Sequence, residues 1–329
     1  MEPQVEAGGL PLLLAPMAGV TDLPFRLLCR RFGATGGLTE MVSAKALTFG
    51  DQKSRKLCEI DPAERPCAIQ LFGHEPEVLG QAARLVEAFA PDGIDLNMGC
   101  PMPKIVGSGD GAALMRDPAA IEALVRRTVA STGRPVTVKL RAGIDGNPNA
   151  VACALAAQRG GAAGLTVHGR MREQFYRPFA DWEFIRAVKQ AVDIPVIANG
   201  DIDSPEAAAE ALAQTGADGL MVGRAARGNP FLFREIAHYL ATGRRLPPPS
   251  VEQRMAVARE HLRHLVAYKG PRIGILEARG HLGWYLKGLR GAAALRERCN
   301  RMTSLDELEE ILALAVSMQG GEEDERSTQ

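Results

Sequence analysis

Residues 93–140 read GIDLNMGCPMPKIVGSGDGAALMRDPAAIEALVRRTVASTGRPVTVKL. The two ends, GIDLN and PVTVKL, are short apolar runs, and between them Asp117-Pro118 opens the amphipathic stretch IEALVRRTVAST. Strand, crossover helix and strand, with apolar residues on both faces of the strands, predict a parallel pair buried on either side. The same unit recurs outward in both directions. Strands are expected over 12–16, 35–39, 67–72, 93–97, 135–140, 163–167, 194–198 and 218–222, with further helix starts at His74-Glu75-Pro76 and Ser204-Pro205-Glu206. Eight such strands alternating with helices fit a closed (β/α)8 TIM barrel better than an open doubly wound sheet, which remains the alternative.

The pattern changes after Gly243-Arg244-Arg245-Leu246-Pro247-Pro248-Pro249, where three consecutive prolines forbid a helix and make a stiff connector. Beyond it only helical spacing remains, as in VEQRMAVAREHLRHLVAY and in SLDELEEILALAV, which opens on the capping pair Ser304 and Glu307. An α/β barrel over 1–245 is therefore expected to precede a small all-α bundle over 246–329. Residues 320–329, polar and acidic, are expected to fray.

Composition bounds the rest. At 329 residues, 46% hydrophobic and 24% charged, the chain has material for a large core, and nothing in it approaches the roughly 18 apolar residues of a membrane span. Acidic residues precede the first apolar run, the reverse of a secretory signal, so a cytoplasmic location is expected. Six scattered cysteines without a CxxC pair offer no zinc or iron–sulfur set and suit a reducing compartment. Formal net charge is +0, yet residues 254–301 hold eleven Lys or Arg against three Glu, and 302–329 hold one Arg against eight Asp or Glu. A basic helical surface able to meet nucleic acid follows from that segregation.

In such a barrel, functional groups gather at the C-terminal ends of the strands. Unusual polar residues stand there in seven of the eight: Ala15-Pro16-Met17-Ala18-Gly19, Gln70, Asn97-Met98-Gly99-Cys100-Pro101, Lys139-Leu140-Arg141, His168-Gly169-Arg170, Asn199-Gly200-Asp201 and Gly223-Arg224. A single strand-end His or Gln is usually structural; their joint placement carries the inference. Lys139, in an apolar strand, needs an anionic or electron-rich partner. Gly200, Gly223 and Arg224 suit a phosphate beside the last two strands. With no Walker motif and no GxGxxG after the first strand, flavin mononucleotide fits better than a P-loop nucleotide or a dinucleotide. A metal is less favoured, because His168 and Asp201 lack companions at ligand spacing.

The runs APMAGVTDLPFR (15–26), TEMVSAKAL (39–47), IQLFGHEPE (69–77), DLNMGCPMPKIVGSGDGAALMRDP (95–118), VKLRAGID (138–145), TVHGRMREQFY (166–176), IANGDI (197–202) and GLMVGRAARGNPFLF (219–233) resemble the tRNA-dihydrouridine synthases, in the bacterial branch once labelled nitrogen-regulation proteins. That resemblance implies FMN as cofactor, NADPH as its reductant, and a uridine of tRNA as substrate. It implies that Pro16, Met17 and Ala18 line the flavin ring, that Gln70 and Lys139 bond its polar edge, and that His168 brackets it. Asn199, Gly200, Asp201, Gly223 and Arg224 would hold the ribityl phosphate, and Asn97 and Arg141 would meet the uracil. Cys100 would protonate C5, a task that suits a thiol still protonated at neutral pH.

Because the target base must leave the RNA stack, binding has to be supplied elsewhere. Arg254, Arg259, Arg263, Lys269, Arg272, Arg279, Lys287 and Arg290 are candidate phosphate contacts, with Trp284 and Tyr285 as stacking groups. Two rival readings stay open: a flavin barrel reducing a free pyrimidine-like molecule, and an RNA-binding or regulatory module without catalysis.

Overall fold

Parallel strands need cover on both sides, and the chain answers by closing them into a ring. In the computed structural model, which describes residues 9–319, nine strands form: β1 Leu12–Leu14, β2 Gly36–Leu38, β3 Val42–Ser43, β4 Cys67–Phe72, β5 Gly93–Asn97, β6 Val136–Gly143, β7 Gly164–Met171, β8 Val196–Asn199 and β9 Gly219–Val222. Every pairing is parallel. β1 pairs with both β2 and β9, and β2 with β4, so eight strands close a barrel and the open sheet is excluded. The ninth, β3, adds two residues to the C-terminal end of β4, with Val42 opposite Leu71. Two residues are too few to show a period, which is why sequence patterning yields eight.

β6 and β7 run longer than expected, to Gly143 and Met171. Arg141, His168 and Arg170 therefore project from strand backbone and not from loops, which ties their positions to the ladder. Outward side chains such as Ile69, Ile94, Val138 and Val167 are fully buried beneath the helices. Ala15, Leu38 and Met221 make a second apolar cluster with Leu13, Ala68 and Ile197.

The helices begin where proline and a small polar cap stand together. Asp117 accepts from the Ala119 amide ahead of Pro118–Val129, and Ser204 from the Ala207 amide ahead of Pro205–Thr215. Helix Leu232–Thr242 stops at Gly243, whose φ of +70° ends it in the left-handed conformation.

Past residues 244–249, Ser250 caps Val251–Lys269, followed by helices Pro271–Tyr285, Ala292–Arg301 and Leu305–Ser317. Ser304 caps the last, accepting from the Glu307 amide at 3.2 Å. These helices dock on barrel helix Leu23–Arg31 through buried contacts. Phe25 lies 5.2 Å from the His261 ring and 6.0 Å from that of His281. Lys269 pairs with Asp22 at 2.9 Å and with Glu277. Gly228, at φ +66°, sits so close to the Trp284 backbone that an added Cβ would lie 2.5 Å from its carbonyl carbon. The expected frayed tail, 320–329, lies outside the described residues. Among the described residues no helix is long and apolar enough to cross a membrane.

Candidate active site

A cavity of about 950 Å³ opens at the C-terminal end of the barrel, and all fourteen residues to which the resemblance gives a cofactor, uracil or acid role line it. Its floor is a hydrogen-bonded chain running from strand to strand. Asp95 on β5, 1% exposed, accepts from Thr137 at 2.6 Å and from the Gln70 amide at 2.8 Å. Burial pushes its carboxyl pKa up, against those two donors and the Lys139 charge. The Gln70 oxygen accepts from Asn97 at 2.9 Å, while Asn97 turns its own oxygen to the amides of Gly99 and Cys100, at 3.2 and 2.9 Å. The loop carrying the thiol is thus pinned to the barrel floor. Gly111, at φ +60°, packs against the Cys100 carbonyl, where a Cβ would come within 2.9 Å; the Ala112 amide bonds that same oxygen.

Opposite, Lys139 on β6 and His168 on β7 share one acceptor. The Asn199 side-chain oxygen lies 2.9 Å from both Lys139 Nζ and His168 Nδ1, and its amide nitrogen is fixed by donating to the Met221 carbonyl at 2.8 Å. That orientation puts the imidazole proton on Nδ1. Burial first, then the Lys139 and Arg141 charges, hold His168 far below its usual pKa, so the ring is neutral. Burial also brings the Lys139 ammonium down to about 8, with repulsion from Arg141 adding to it.

The cationic wall is held by an acid. Asp201, in the left-handed region at φ +53°, bridges Arg170 at 2.5 Å and Arg224 at 3.0 Å and accepts from the Ala180 amide. Its carboxylate therefore orients guanidinium groups, and any phosphate would meet Arg224 and not Asp201 directly. Arg224 also lies 4.3 Å beneath the Tyr176 ring. Arg141 donates to the carbonyls of Gly99 at 2.7 Å and Met171 at 3.1 Å, and desolvation lowers its pKa to about 10. Cys100 is half-buried. Desolvation raises its thiol pKa above the ordinary value, with the Met102 backbone and Arg141 pulling the other way.

The model of the family described as dihydrouridine synthase matches residues 13–319. The chain belongs to the dihydrouridine synthase family. A tRNA-dihydrouridine synthase B from Pseudomonas aeruginosa is 44% identical over 296 residues, spanning 90% of this chain and 89% of its own length. A probable tRNA-dihydrouridine synthase 1 from Synechocystis is 46% identical over 308 residues, spanning 93% and 86%. The solved complex of 2-naphthoyl-CoA reductase with 2-naphthoyl-CoA resembles the chain with a TM-score of 0.53 at 10% identity, over 69% of this chain and 50% of that one. The last likeness is one of fold alone.

Several functional candidates in this dihydrouridine synthase escape sequence reading. Met41, Met102, Tyr176 and Arg227 also line the cavity. All four lie within quoted motifs, and only the folded geometry singles them out. Arg170, 1% exposed, was legible merely as a strand-end residue; its role in holding Asp201 depends on a partner 31 positions away.

The basic helical surface is thinner than its charge count. Arg259 and Arg263 pair with Glu309, Lys269 with Asp22 and Glu277, while Arg279 donates to the Met302 carbonyl. Tyr285 is fully buried with its hydroxyl on His261, so the expected stacking group is part of the core. Trp284 is covered by Arg227 at 4.7 Å. Of the eight cations named from sequence, Lys287 alone reaches the cavity. Among the described residues no group of three or more His, Cys, Asp or Glu could hold a metal ion.

Proposed function

We propose that this dihydrouridine synthase is an FMN-dependent enzyme that reduces a uridine of tRNA to 5,6-dihydrouridine, with Cys100 as the acid and NADPH as the reductant. The observation that carries it is the shared cavity: a thiol kept protonated on one rim, and on the other a half-buried ammonium, a neutral imidazole and a guanidinium.

The residues present suit the cofactor. Lys139, Arg141, Arg224, Arg227 and Lys287 line the cavity against Asp201 and Asp203, a surplus of positive charge that favours an anionic ligand. Lys139 and Gln70 would bond the polar edge of the flavin ring, with Pro16, Met17 and Ala18 along it and His168 beside it. Arg224 and the backbone at Gly200 and Gly223 would take the phosphate, oriented by Asp201 and Asn199. Bound reduced flavin supplies hydride for C6 of the uracil, and a cation near its pyrimidine edge favours the anionic reduced form.

The chain supplies the rest. Asn97 and Arg141 would hold the uracil, and the Cys100 thiol would pass its proton to C5. Its loop is fixed through Asn97, and Arg141 stands near to stabilise the thiolate left behind. The base has to be everted from the RNA to enter, at a few kcal/mol that contacts outside the cavity must offset. A cytoplasmic location with the tRNA pool is part of this reading. Dihydrouridine mapping of tRNA from a strain lacking the gene tests it: a position that loses the modification and regains it on complementation is expected, and an unchanged map rejects the assignment.

A further inference from the structure

We propose that Arg227 and Lys287 form a second anion subsite in the cavity mouth, which takes a phosphodiester of the RNA backbone next to the everted base. The inference rests on the tRNA-reducing reading above and adds to it a site that neither the motifs nor the cofactor requires.

The charge balance of the cavity points to it. Lys139 donates to Asn199, Arg141 to the Gly99 and Met171 carbonyls, and Arg224 is ion-paired with Asp201. Arg227 donates from Nε to the Arg224 carbonyl at 3.2 Å, and its guanidinium lies over the Trp284 ring at 4.7 Å. Among the described residues no carboxylate pairs with Arg227 or with Lys287. A guanidinium laid on an aromatic face is pre-organised, with N–H edges free to meet an oxyanion.

Lys287 is held beside it by backbone. Its amide donates to the Trp284 carbonyl at 3.2 Å, and its own carbonyl accepts from Arg254 Nη2 at 2.9 Å, the same nitrogen that bonds the Tyr285 carbonyl at 2.6 Å. Trp284 is in turn locked against Gly228, the residue after Arg227. One cation from the barrel and one from the helical segment are thus both referenced to Trp284. Lys287 is exposed to solvent while lining the cavity, so its anion lies where the cavity meets bulk water. A polyanion that enters by one nucleotide and runs out along the surface satisfies that placement; a small anion enclosed beside Arg224 does not.

The test uses the full-length, flavin-loaded protein and an unmodified tRNA transcript, titrated across a salt series. Lys287→Met and Arg227→Met, which keep the apolar stems, are each expected to weaken binding about fivefold at low salt and to lower the log–log salt slope by about one, with Lys287→Arg keeping the slope. Unaltered affinity and slope in both variants, beside a wild type that does bind, would overturn the subsite and leave the parent reading standing. Loss of bound flavin would instead assign these cations to the cofactor, and slower flavin reduction by NADPH with unchanged tRNA binding would assign them to the nicotinamide cofactor's phosphate. Either result overturns the proposal. A wild type without tRNA affinity overturns the parent reading and this one with it.

Discussion

Lys139 Nζ donates to Asn199 Oδ1 at 2.9 Å, from β6 to β8 across the intervening strand. This ammonium is half-buried with that neutral acceptor as its closest partner, and its pKa falls from 10.5 to about 8. Between those values the unfolded chain binds more protons than the folded one, so stability rises with pH from about 8 to 10.5 and the full penalty is present below 8. Lys139→Met is expected to stabilise the flavin-free protein at pH 7 by about 2 kcal/mol, allowing for the lost hydrogen bond. Urea unfolding should show this gain shrinking toward pH 10, while flavin affinity falls. A destabilised variant at pH 7 would refute the account.

Removal of the Cys100 sulfur separates acid chemistry from cofactor binding. Cys100→Ala should keep its flavin and lose tRNA turnover by about 10²-fold or more, the usual scale for a missing general acid. Single-turnover kinetics on reduced enzyme is the direct measurement, and near-normal turnover would remove Cys100 from the role.

Acid should loosen the dock between helices and barrel. Burial holds His281 at about 4, against an ordinary 6.5, and holds buried His261 far below its usual value, with nearby His281, His264 and Lys269 charge adding to the effect. Asp22 is the acidic group that works the other way on His281, with Lys269 and Arg227 opposing it. As pH falls from 6.5 to 4 the unfolded chain takes up protons that the folded one refuses, and stability drops by up to about 3 kcal/mol for His281 alone. His281→Phe keeps the ring among Phe25, His261 and Trp284 and should flatten that slope. An equal loss of urea-derived stability between pH 6.5 and 4.5 in variant and wild type would contradict it.

Arg26 and Glu64 form a bidentate pair at 2.6 and 3.0 Å, with side chains 4% and 2% exposed. Arg26 also donates to the carbonyls of Thr21 and Glu59, so the pair ties the loop after β1 to the segment before β4. Glu64→Ala strands a buried guanidinium and is expected to cost about 3–5 kcal/mol. Arg26→Met with Glu64→Leu should recover much of that loss, read as the denaturation midpoint.

Local pattern made most of the barrel legible. GIDLN and PVTVKL announce themselves by composition, and a polar residue closing such a run announces the mouth of the barrel. What stayed hidden depends on distance along the chain. Neither Tyr176 over Arg224 nor Arg227 over Trp284 leaves a periodic trace, since each pair is joined by folding and not by spacing. Tyr285 and Lys287, two residues apart, both look like RNA contacts in sequence; the helix buries the first and leaves the second at the cavity. Charge counting overstated the basic surface because Glu309 and Asp22 stand outside the stretch whose cations they neutralise.

Glycine at 228 leaves no clearance for any side chain against the tryptophan backbone, and this fit governs how such enzymes can be re-engineered. A chimera that joins the barrel to a foreign helical segment must import a matching ridge, or supply its own seat for residue 228. Without it the transplanted part would lose this close seat and depend on contacts such as those of Phe25 and Asp22 for its orientation on the barrel.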